Sequence, residues 1–199
     1  MAWAAFQLAQ ELNAEFVYLQ SEGGKSLLYF YRFVDGELAL EKKEIISAQL
    51  TIDDYLRAHG LTKYRLNKRK QWFEELITQT LQPVVSEIIS NVKLWTLEID
   101  HVVRCKTQFG IIEAKSGEGD KRKEAIDQLS TASQREFLGT FVKRFLIQKL
   151  PLGVDNKRLA DAHSIIEIVL PSADKKAGLL EEDKRLLIET ATKTLGGKR

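Results

Sequence analysis

The spacing of apolar residues changes character within the N-terminal part of the chain. Helical spacing predicts a helix over residues 1–12, with Trp3, Phe6, Leu8 and Leu12 on its apolar side. From residue 15 onward aromatic and β-branched residues predominate, which predicts a strand, a loop and a β-hairpin that turns at Asp35-Gly36. "TIDDYLRAHG" then predicts a short helix that Thr51 caps and Gly60 stops. We interpret residues 1–62 as a small α+β module, a candidate linker or dimerisation element.

The remaining residues, 63–199, alternate between helical and strand patterns. A helix is predicted from about Asn67 to the proline at Pro83, because proline removes a helical hydrogen bond. The elements predicted after it are strands at 93–105 and 108–115, a helix at 121–137, a strand at 144–150, a helix at 156–163, a strand at 164–170 and a helix at 181–195. This order predicts an α/β (α+β) fold, in which helices flank a mixed sheet.

Composition makes the chain an ordinary globular protein, with 44% hydrophobic and 29% charged residues. A net charge of +2 gives no argument for nucleic acid or membrane by itself, although basic residues concentrate at 63–70 and 121–123. Cys105 is the only cysteine, so an intrachain disulfide is excluded and a reducing cytoplasm is expected. The N-terminus has no basic signal region and no apolar run approaches a bilayer span, so we predict a cytoplasmic protein without a membrane partner.

The segment "LEIDHVVRCKTQFGIIEAK" places charged residues inside two otherwise apolar strands. Alternate residues of a strand face the same way, so Glu98 and Asp100 share one face of the first strand. Glu113 and Lys115 likewise share one face of the second strand. A two-residue turn at 106–107 would oppose Asp100 to Glu113, and this register brings all four charged groups together.

Two carboxylates directly across an antiparallel pair repel each other unless a cation lies between them. Mg²⁺ or Mn²⁺ suits Asp100 and Glu113, because such ions take one or two carboxylates and keep waters for the substrate. Lys115 beside the ion would position or deprotonate a water, or stabilise charge on a phosphate. The pattern therefore predicts metal-dependent hydrolysis of phosphodiester bonds.

A buried ion-pair network is the structural alternative for the same residues. It would pair Lys115 with Glu113 and Arg104 with Glu98, without catalysis. Both strands are apolar on either side of the charges and read as central strands, where a purely structural ion pair is costly. This argument favours the catalytic interpretation.

The pair "EID" and "EAK" resembles the active-site signature of the PD-(D/E)XK nuclease superfamily, which has the restriction-endonuclease-like fold. The resemblance implies that Asp100 and Glu113 bind metal, that Lys115 is the catalytic lysine, and that the carbonyl of Ala114 is a further ligand. Glu98, which shares a strand face with Asp100, is a further candidate for the catalytic set. "QWFEEL", "LEIDHVV", "IIEAKSG" and "FLGTFVKRFLI" resemble more closely the nuclease domain of CARF-linked CRISPR ancillary endonucleases of type III systems. The resemblance to those proteins implies that this protein acts in antiviral defence and is controlled by cyclic oligoadenylates. Residues 1–62 contain no recognisable nucleotide-binding loop, so control would require a separate sensor subunit.

The family also implies a carboxylate on the helix before the hairpin, which leaves a choice between Glu74 and Glu75. At 100° per residue, Glu74 lies about 20° beyond the edge of the apolar face and Glu75 about 60° beyond the other edge. Glu74 is therefore the expected metal-site residue, and an exposed acidic residue on an amphipathic helix is the alternative.

Substrate contacts are predicted after the "SGEGD" loop. Lys121, Arg122 and Lys123 would clamp phosphates beside the metal, and the alternative is a solvated helix start. Gln128, on the same helix, is a candidate contact to substrate or to Lys115. The sequence as a whole predicts a homodimeric endonuclease acting on DNA, RNA or both. The alternatives are a DNA repair or junction-cleaving nuclease and a non-catalytic nucleic-acid-binding subunit.

Overall fold

A computed structural model describes residues 2–22, 25–46, 50–61, 65–66, 71–94, 97–117, 121–134, 137–139 and 141–196. The chain divides into two compact units, Met1–Gln49 and Leu50–Arg199. Most of the basic segment 63–70 and part of the predicted "SGEGD" loop lie outside the described residues. Within the described residues, no helix is long and apolar enough to cross a membrane.

The first unit is a three-stranded antiparallel sheet with one helix. Its elements are α1 (Ala2–Glu11), β1 (Phe16–Glu22), β2 (Lys25–Val34) and β3 (Glu37–Ile46), and the strand order is β1-β2-β3. Asp35 and Gly36 have φ of 52° and 84°, as the favoured hairpin turn requires, and Val34 pairs with Glu37. The ring of Phe6 on α1 lies 5.5 Å from that of Phe33. The predicted helix and hairpin of this region are therefore confirmed.

The second unit is a six-stranded mixed sheet with helices on both faces. Its elements are α2 (Ile52–Ala58), β4 (Arg65–Leu66), α3 (Trp72–Leu81), β5 (Glu87–Leu94), β6 (Leu97–Cys105), β7 (Gln108–Lys115), α4 (Lys121–Ala132), β8 (Lys143–Gln148), α5 (Val154–Ala162), β9 (Ile165–Val169) and α6 (Glu181–Thr194). The strand order is β4-β5-β6-β7-β8-β9. Pairing is antiparallel from β4 to β7 and parallel from β7 to β9.

Helix α2 packs with the second unit, which shifts the boundary from the predicted residue 62 to residue 49. Thr51 caps the helix as predicted, because its Oγ1 accepts from the Asp54 N–H at 3.1 Å and its own N–H donates to Asp54 Oδ2 at 3.0 Å. Ile52 and Leu56 are fully buried in the core that β5 and β6 share. The apolar side of α2 thus holds it on the larger sheet.

The predicted strand 93–105 is in fact the end of β5 followed by all of β6. The connection at 95–96 contains no glycine, proline, asparagine or aspartate, so the sequence carries no turn signal there. The predicted helix 121–137 also ends earlier, at Ala132. The other elements of this unit lie within a few residues of their predicted positions.

The sheet is buried on both faces by two separate apolar clusters. One gathers residues of α2, α4 and α5 on one face, and the other gathers residues of α3 and α6 on the opposite face. Because β7, β8 and β9 are parallel, their carboxyl ends lie at the same edge of the sheet. Glu113 and Lys115 are at that edge, which is where parallel sheets place their sites.

Gly110 on β7 is closely surrounded, which makes it a test of the packing below the site. A Cβ at this position would lie 3.0 Å from Phe145 Cε2, 3.1 Å from Leu195 Cδ2 and 3.2 Å from Val103 Cγ1. We expect Gly110→Ala to lower the free energy of unfolding by about 1–3 kcal/mol, measured by urea denaturation. Gly117→Ala is the control, because a Cβ there meets nothing within 4 Å. Equal stability of the two variants would contradict the packing argument.

Candidate active site

The β6–β7 hairpin has the predicted register. Cys105 pairs with Gln108 across the two-residue turn, where Lys106 has φ of 55°, and pairing continues to His101 and Ile112. One step further this register brings Asp100 opposite Glu113. Regular pairing stops there, and Asp100 Oδ2 instead accepts a hydrogen bond of 2.7 Å from the backbone N–H of Ala114.

Asp100 also interrupts the pairing on the other side of β6. Ser90 pairs with His101 and Val92 with Ile99, but the intervening Asn91 and Asp100 do not pair. Asn91 has φ of 57°, a left-handed conformation that asparagine tolerates better than most residues. Regular strand pairing is therefore interrupted on both sides of Asp100, and the Asp100 carboxylate lines a pocket.

The four charged residues of the hairpin line one pocket of about 510 Å³. Glu98, Asp100, Glu113 and Lys115 all contribute to its wall. The structure therefore brings these four residues together, as the register predicted.

Glu113 is the most deeply buried acid of the pocket, with 1% of its surface exposed. Its Oε2 accepts a hydrogen bond of 3.0 Å from Lys115 Nζ, while its Oε1 has no hydrogen-bond partner. Burial, followed by the nearby charge of Asp100, raises the pKa of Glu113 to about 8. An unpartnered buried carboxylate oxygen of this kind is a position for a cation.

Asp100 is subject to competing effects. Burial raises its pKa above the usual range, whereas the hydrogen bond from Ala114 and the charge of Lys115 act to lower it. The net direction is upward. Asp100 and Glu113 therefore form a pair that resists carrying two negative charges without a neutralising partner.

Lys115 keeps its proton despite partial burial. Burial alone would lower its pKa, but the carboxylates of Glu113 and Asp100 outweigh that effect and raise it. In this environment the side chain is an ammonium ion, able to donate hydrogen bonds and unable to accept a proton.

Glu74 extends into the pocket from α3, whereas its neighbour Glu75 is exposed. Only 3% of the surface of Glu74 is exposed, and its Oε2 accepts from the N–H of Gln71 at 3.4 Å. Burial first and Asp100 second raise the pKa of Glu74 to about 7. A third carboxylate thus borders the pair, as the choice of Glu74 over Glu75 anticipated.

The predicted substrate residues divide into two groups. Gln128 lines the pocket, where its side chain donates to the backbone carbonyl of Glu98, not to Lys115. Arg122 donates to the carbonyl of Pro151 at 3.1 Å, which directs it toward the start of α5. Lys121 and Lys123 are exposed at the first turn of α4 and are not part of the pocket wall.

Only half of the structural ion-pair network is present. Lys115 pairs with Glu113 as that alternative required. Arg104 does not pair with Glu98, because its Nε lies 3.3 Å from Glu87 Oε2 on β5. The strand that supplies Glu87 was itself absent from the sequence prediction.

Two residues of the pocket wall, Gln71 and Asn91, were missed by sequence reasoning. Asn91 had a usable signal, since a lone asparagine within an apolar strand pattern marks a residue able to take positive φ. Gln71 had none, because its position depends on the packing of α3 against β5 and β6. His101, which follows Asp100 in the sequence, is fully buried outside the pocket wall, with Nδ1 3.0 Å from Ser90 Oγ.

The carboxylates of the pocket suit a hard divalent ion that takes only a small number of protein ligands. Among the described residues, no group of three or more His, Cys, Asp or Glu side chains is gathered closely enough to form a metal site. The pair Asp100 and Glu113, with its unpartnered Oε1, meets the lower requirement of Mg²⁺, which binds through one or two carboxylates and keeps several waters.

The architecture is the predicted one, a mixed sheet flanked by helices together with a small antiparallel sheet. Two solved structures are similar to this chain over nearly its whole length. Can2 from Sulfobacillus thermosulfidooxidans, in complex with cyclic tetra-adenylate, has a TM-score of 0.64 at 14% identity over 98% of this chain and 72% of that chain. Protein VC1899 from Vibrio cholerae has a TM-score of 0.63 at 11% identity over 99% of this chain and 73% of that chain. No family model and no curated protein matches the sequence.

Proposed function

We propose that this protein is a divalent-metal-dependent endonuclease that hydrolyses phosphodiester bonds of DNA, RNA or both. The observation that carries the proposal is the pair of the half-buried Asp100 and the buried Glu113, joined by Lys115 in one open pocket. Two adjacent carboxylates repel each other when both are ionised, and a divalent cation between them would relieve that repulsion.

Asp100 and Glu113 would hold Mg²⁺ or Mn²⁺, with the carbonyl of Ala114 as a further ligand and Glu74 acting through water at the same ion. The bound ion would supply charge neutralisation at the phosphate and an activated water. Asp100 is fixed for this role by the Ala114 N–H, which orients one of its oxygens. Glu98 borders the pair and adds negative charge to the same wall.

Lys115 acts as a charge stabiliser and not as a base in this proposal. In the metal-free protein the neighbouring carboxylates raise the pKa of Lys115, which favours its ammonium form. An ammonium beside the cleft would donate to a non-bridging phosphate oxygen, where negative charge develops during the attack of water. Gln128 would touch substrate from the opposite wall, and Lys121, Arg122 and Lys123 would contact phosphates further along the strand.

The fold likeness to Can2, whose structure contains cyclic tetra-adenylate, supports placing the enzyme in CRISPR-linked or other antiviral defence. A separate sensor subunit would then supply the response to a signalling nucleotide. A homodimer is also proposed, since the first unit exposes apolar residues on one face of β3 that a second copy would cover, namely Leu40 at 52% and Ile45 at 63%.

The proposal is tested by incubating the protein with labelled single-stranded RNA, single-stranded DNA and supercoiled plasmid, in Mg²⁺, Mn²⁺ or EDTA. We expect cleavage only with metal, and a loss of about 100-fold or more in Lys115→Ala, since a positioned charge donor is worth about that much. Lys143→Ala is the matched control, because this exposed lysine lies at the amino end of β8, away from the carboxyl ends of the strands where the pocket lies. Metal-independent cleavage, or equal rates in both lysine variants, would contradict the proposal.

Two alternatives give different results in the same experiment. A repair or junction-cleaving nuclease would cut structured duplex DNA in preference to single strands. A non-catalytic subunit would bind nucleic acid equally well in wild type and Lys115→Ala and cut nothing in any metal.

A further inference from the structure

A second concave surface lies beside the pocket that contains Asp100 and Glu113, near the carboxyl ends of β7, β8 and β9. Trp72 opens α3 two residues before Glu74. Lys149 directly follows β8, and its N–H donates to the carbonyl of Lys115 at 3.3 Å. The backbone of the catalytic strand is therefore joined to the residue that borders this second surface.

A pocket of about 350 Å³ separates the start of α3 from the loop Asp174–Gly178. Trp72 and Leu76 form its helical wall. The indole of Trp72 is half-buried, and Lys149 Nζ lies 5.8 Å from the centre of the ring. The half-buried side chain of Lys149 thus occupies the space above the ring.

The charges around this pocket favour an anion. Lys149, Lys175 and Lys176 contribute three cations, against Glu75 and Asp174. The Asp174 carboxylate accepts hydrogen bonds of 2.8 Å from the backbone N–H groups of Lys176 and Ala177. The carboxylate thus fixes the backbone of the loop that carries Lys175 and Lys176.

We propose that Trp72, Lys149 and the loop Asp174–Gly178 form a platform that binds one unstacked base and the adjoining phosphates of a single-stranded nucleic acid. The base would stack on the Trp72 indole, and Lys149 would move from the ring to a phosphate. Stacking of a base on an aromatic ring beside cations is a general means of holding single strands. This platform rests on the proposed function and would deepen it, because it makes single strands the preferred substrate.

The geometry distinguishes single strands from duplexes. In a duplex both faces of a base are covered by its neighbours, so the indole can stack only on a base that has left the helix. A phosphate contact through Lys149 carries no such requirement. Trp72 should therefore select strand type, and Lys149 should set the dependence on salt.

The test measures binding without turnover. Every protein carries Asp100→Asn in EDTA, and a fluorescent 12-nucleotide single strand and its duplex are titrated by anisotropy at several salt concentrations. We expect Trp72→Leu to weaken single-strand binding about tenfold and duplex binding little, with Trp72→Phe close to the parent. Lys149→Gln should reduce the slope of log affinity against log salt by about 0.7. Lys143→Gln, at the amino end of β8, should change neither the single-strand affinity nor the salt dependence.

The outcomes separate this platform from the proposed function. Equal single-strand affinity in all variants, or equal losses for single strand and duplex in Trp72→Leu, would overturn the platform even if metal-dependent cleavage is observed. Selective loss in Trp72→Leu would support it even if no metal gives cleavage. Thermal unfolding of each variant checks the fold, and rescue by Trp72→Phe identifies the aromatic ring as the cause.

Discussion

Asp100→Asn is expected to abolish metal-dependent cleavage and, at the same time, to stabilise the metal-free protein. Activity should fall by more than about 100-fold, because even the outer partners of metal ligands cost about 10- to 100-fold when removed. Stability should rise, because the asparagine removes a half-buried negative charge that lies beside Glu113 and Glu74. The amide oxygen of asparagine can still accept the hydrogen bond from Ala114, so the hairpin is retained.

The stability gain should be on the order of 1 kcal/mol at pH 8, about the free energy of one unit of pKa shift. It is measured by urea denaturation in EDTA, beside cleavage assays in Mn²⁺. Asp127→Asn is the control, because this exposed aspartate lies on α4 outside the pocket wall. An active Asp100→Asn, or one less stable than the parent in EDTA, would show that Asp100 serves the fold and not a cation.

The second large effect is a pH dependence of stability that metal reverses. In the metal-free folded protein the pKa of Glu113 is about 8 and that of Glu74 about 7, whereas both acids have ordinary values near 4.5 when unfolded. Between these values the folded state binds more protons than the unfolded state. The free energy of unfolding must therefore fall as pH rises from about 5 to 8, by up to about 1.4 kcal/mol per pH unit for each group.

Divalent metal should act in the opposite direction, since it binds the deprotonated carboxylates and its stabilisation grows with pH. Glu113→Gln should flatten the upper part of the profile, between about pH 7 and 8, and should remove most of the metal stabilisation. Glu75→Gln is the matched control on α3, because this glutamate is exposed. The profile is obtained from urea midpoints between pH 5.5 and 8.5, in EDTA and in Mg²⁺. Stability that rises with pH in EDTA would mean that both acids are ionised and paired in the folded state.

Local sequence predicted the elements whose determinants are neighbours along the chain. The hairpin of the first unit followed from Asp35-Gly36, and the start of α2 from Thr51. Most of strand β5 was missed, since the predicted strand 93–105 contains only its last two residues together with all of β6, and nothing at 95–96 signals a turn between them. That single omission also hid Asn91 and misassigned the partner of Arg104, since Glu87 and Asn91 both lie on β5.

The sequence by itself determined the arrangement of the charged hairpin. A period of two along each strand and a two-residue turn are enough to bring Glu98, Asp100, Glu113 and Lys115 together. Only the tertiary structure decided what those groups experience. Glu113 is buried and keeps one oxygen without a partner, Glu74 reaches the pair from α3, and Trp72 meets Lys149 beside them. These properties arise where segments distant in sequence pack together, and burial by distant segments leaves no mark on the local pattern.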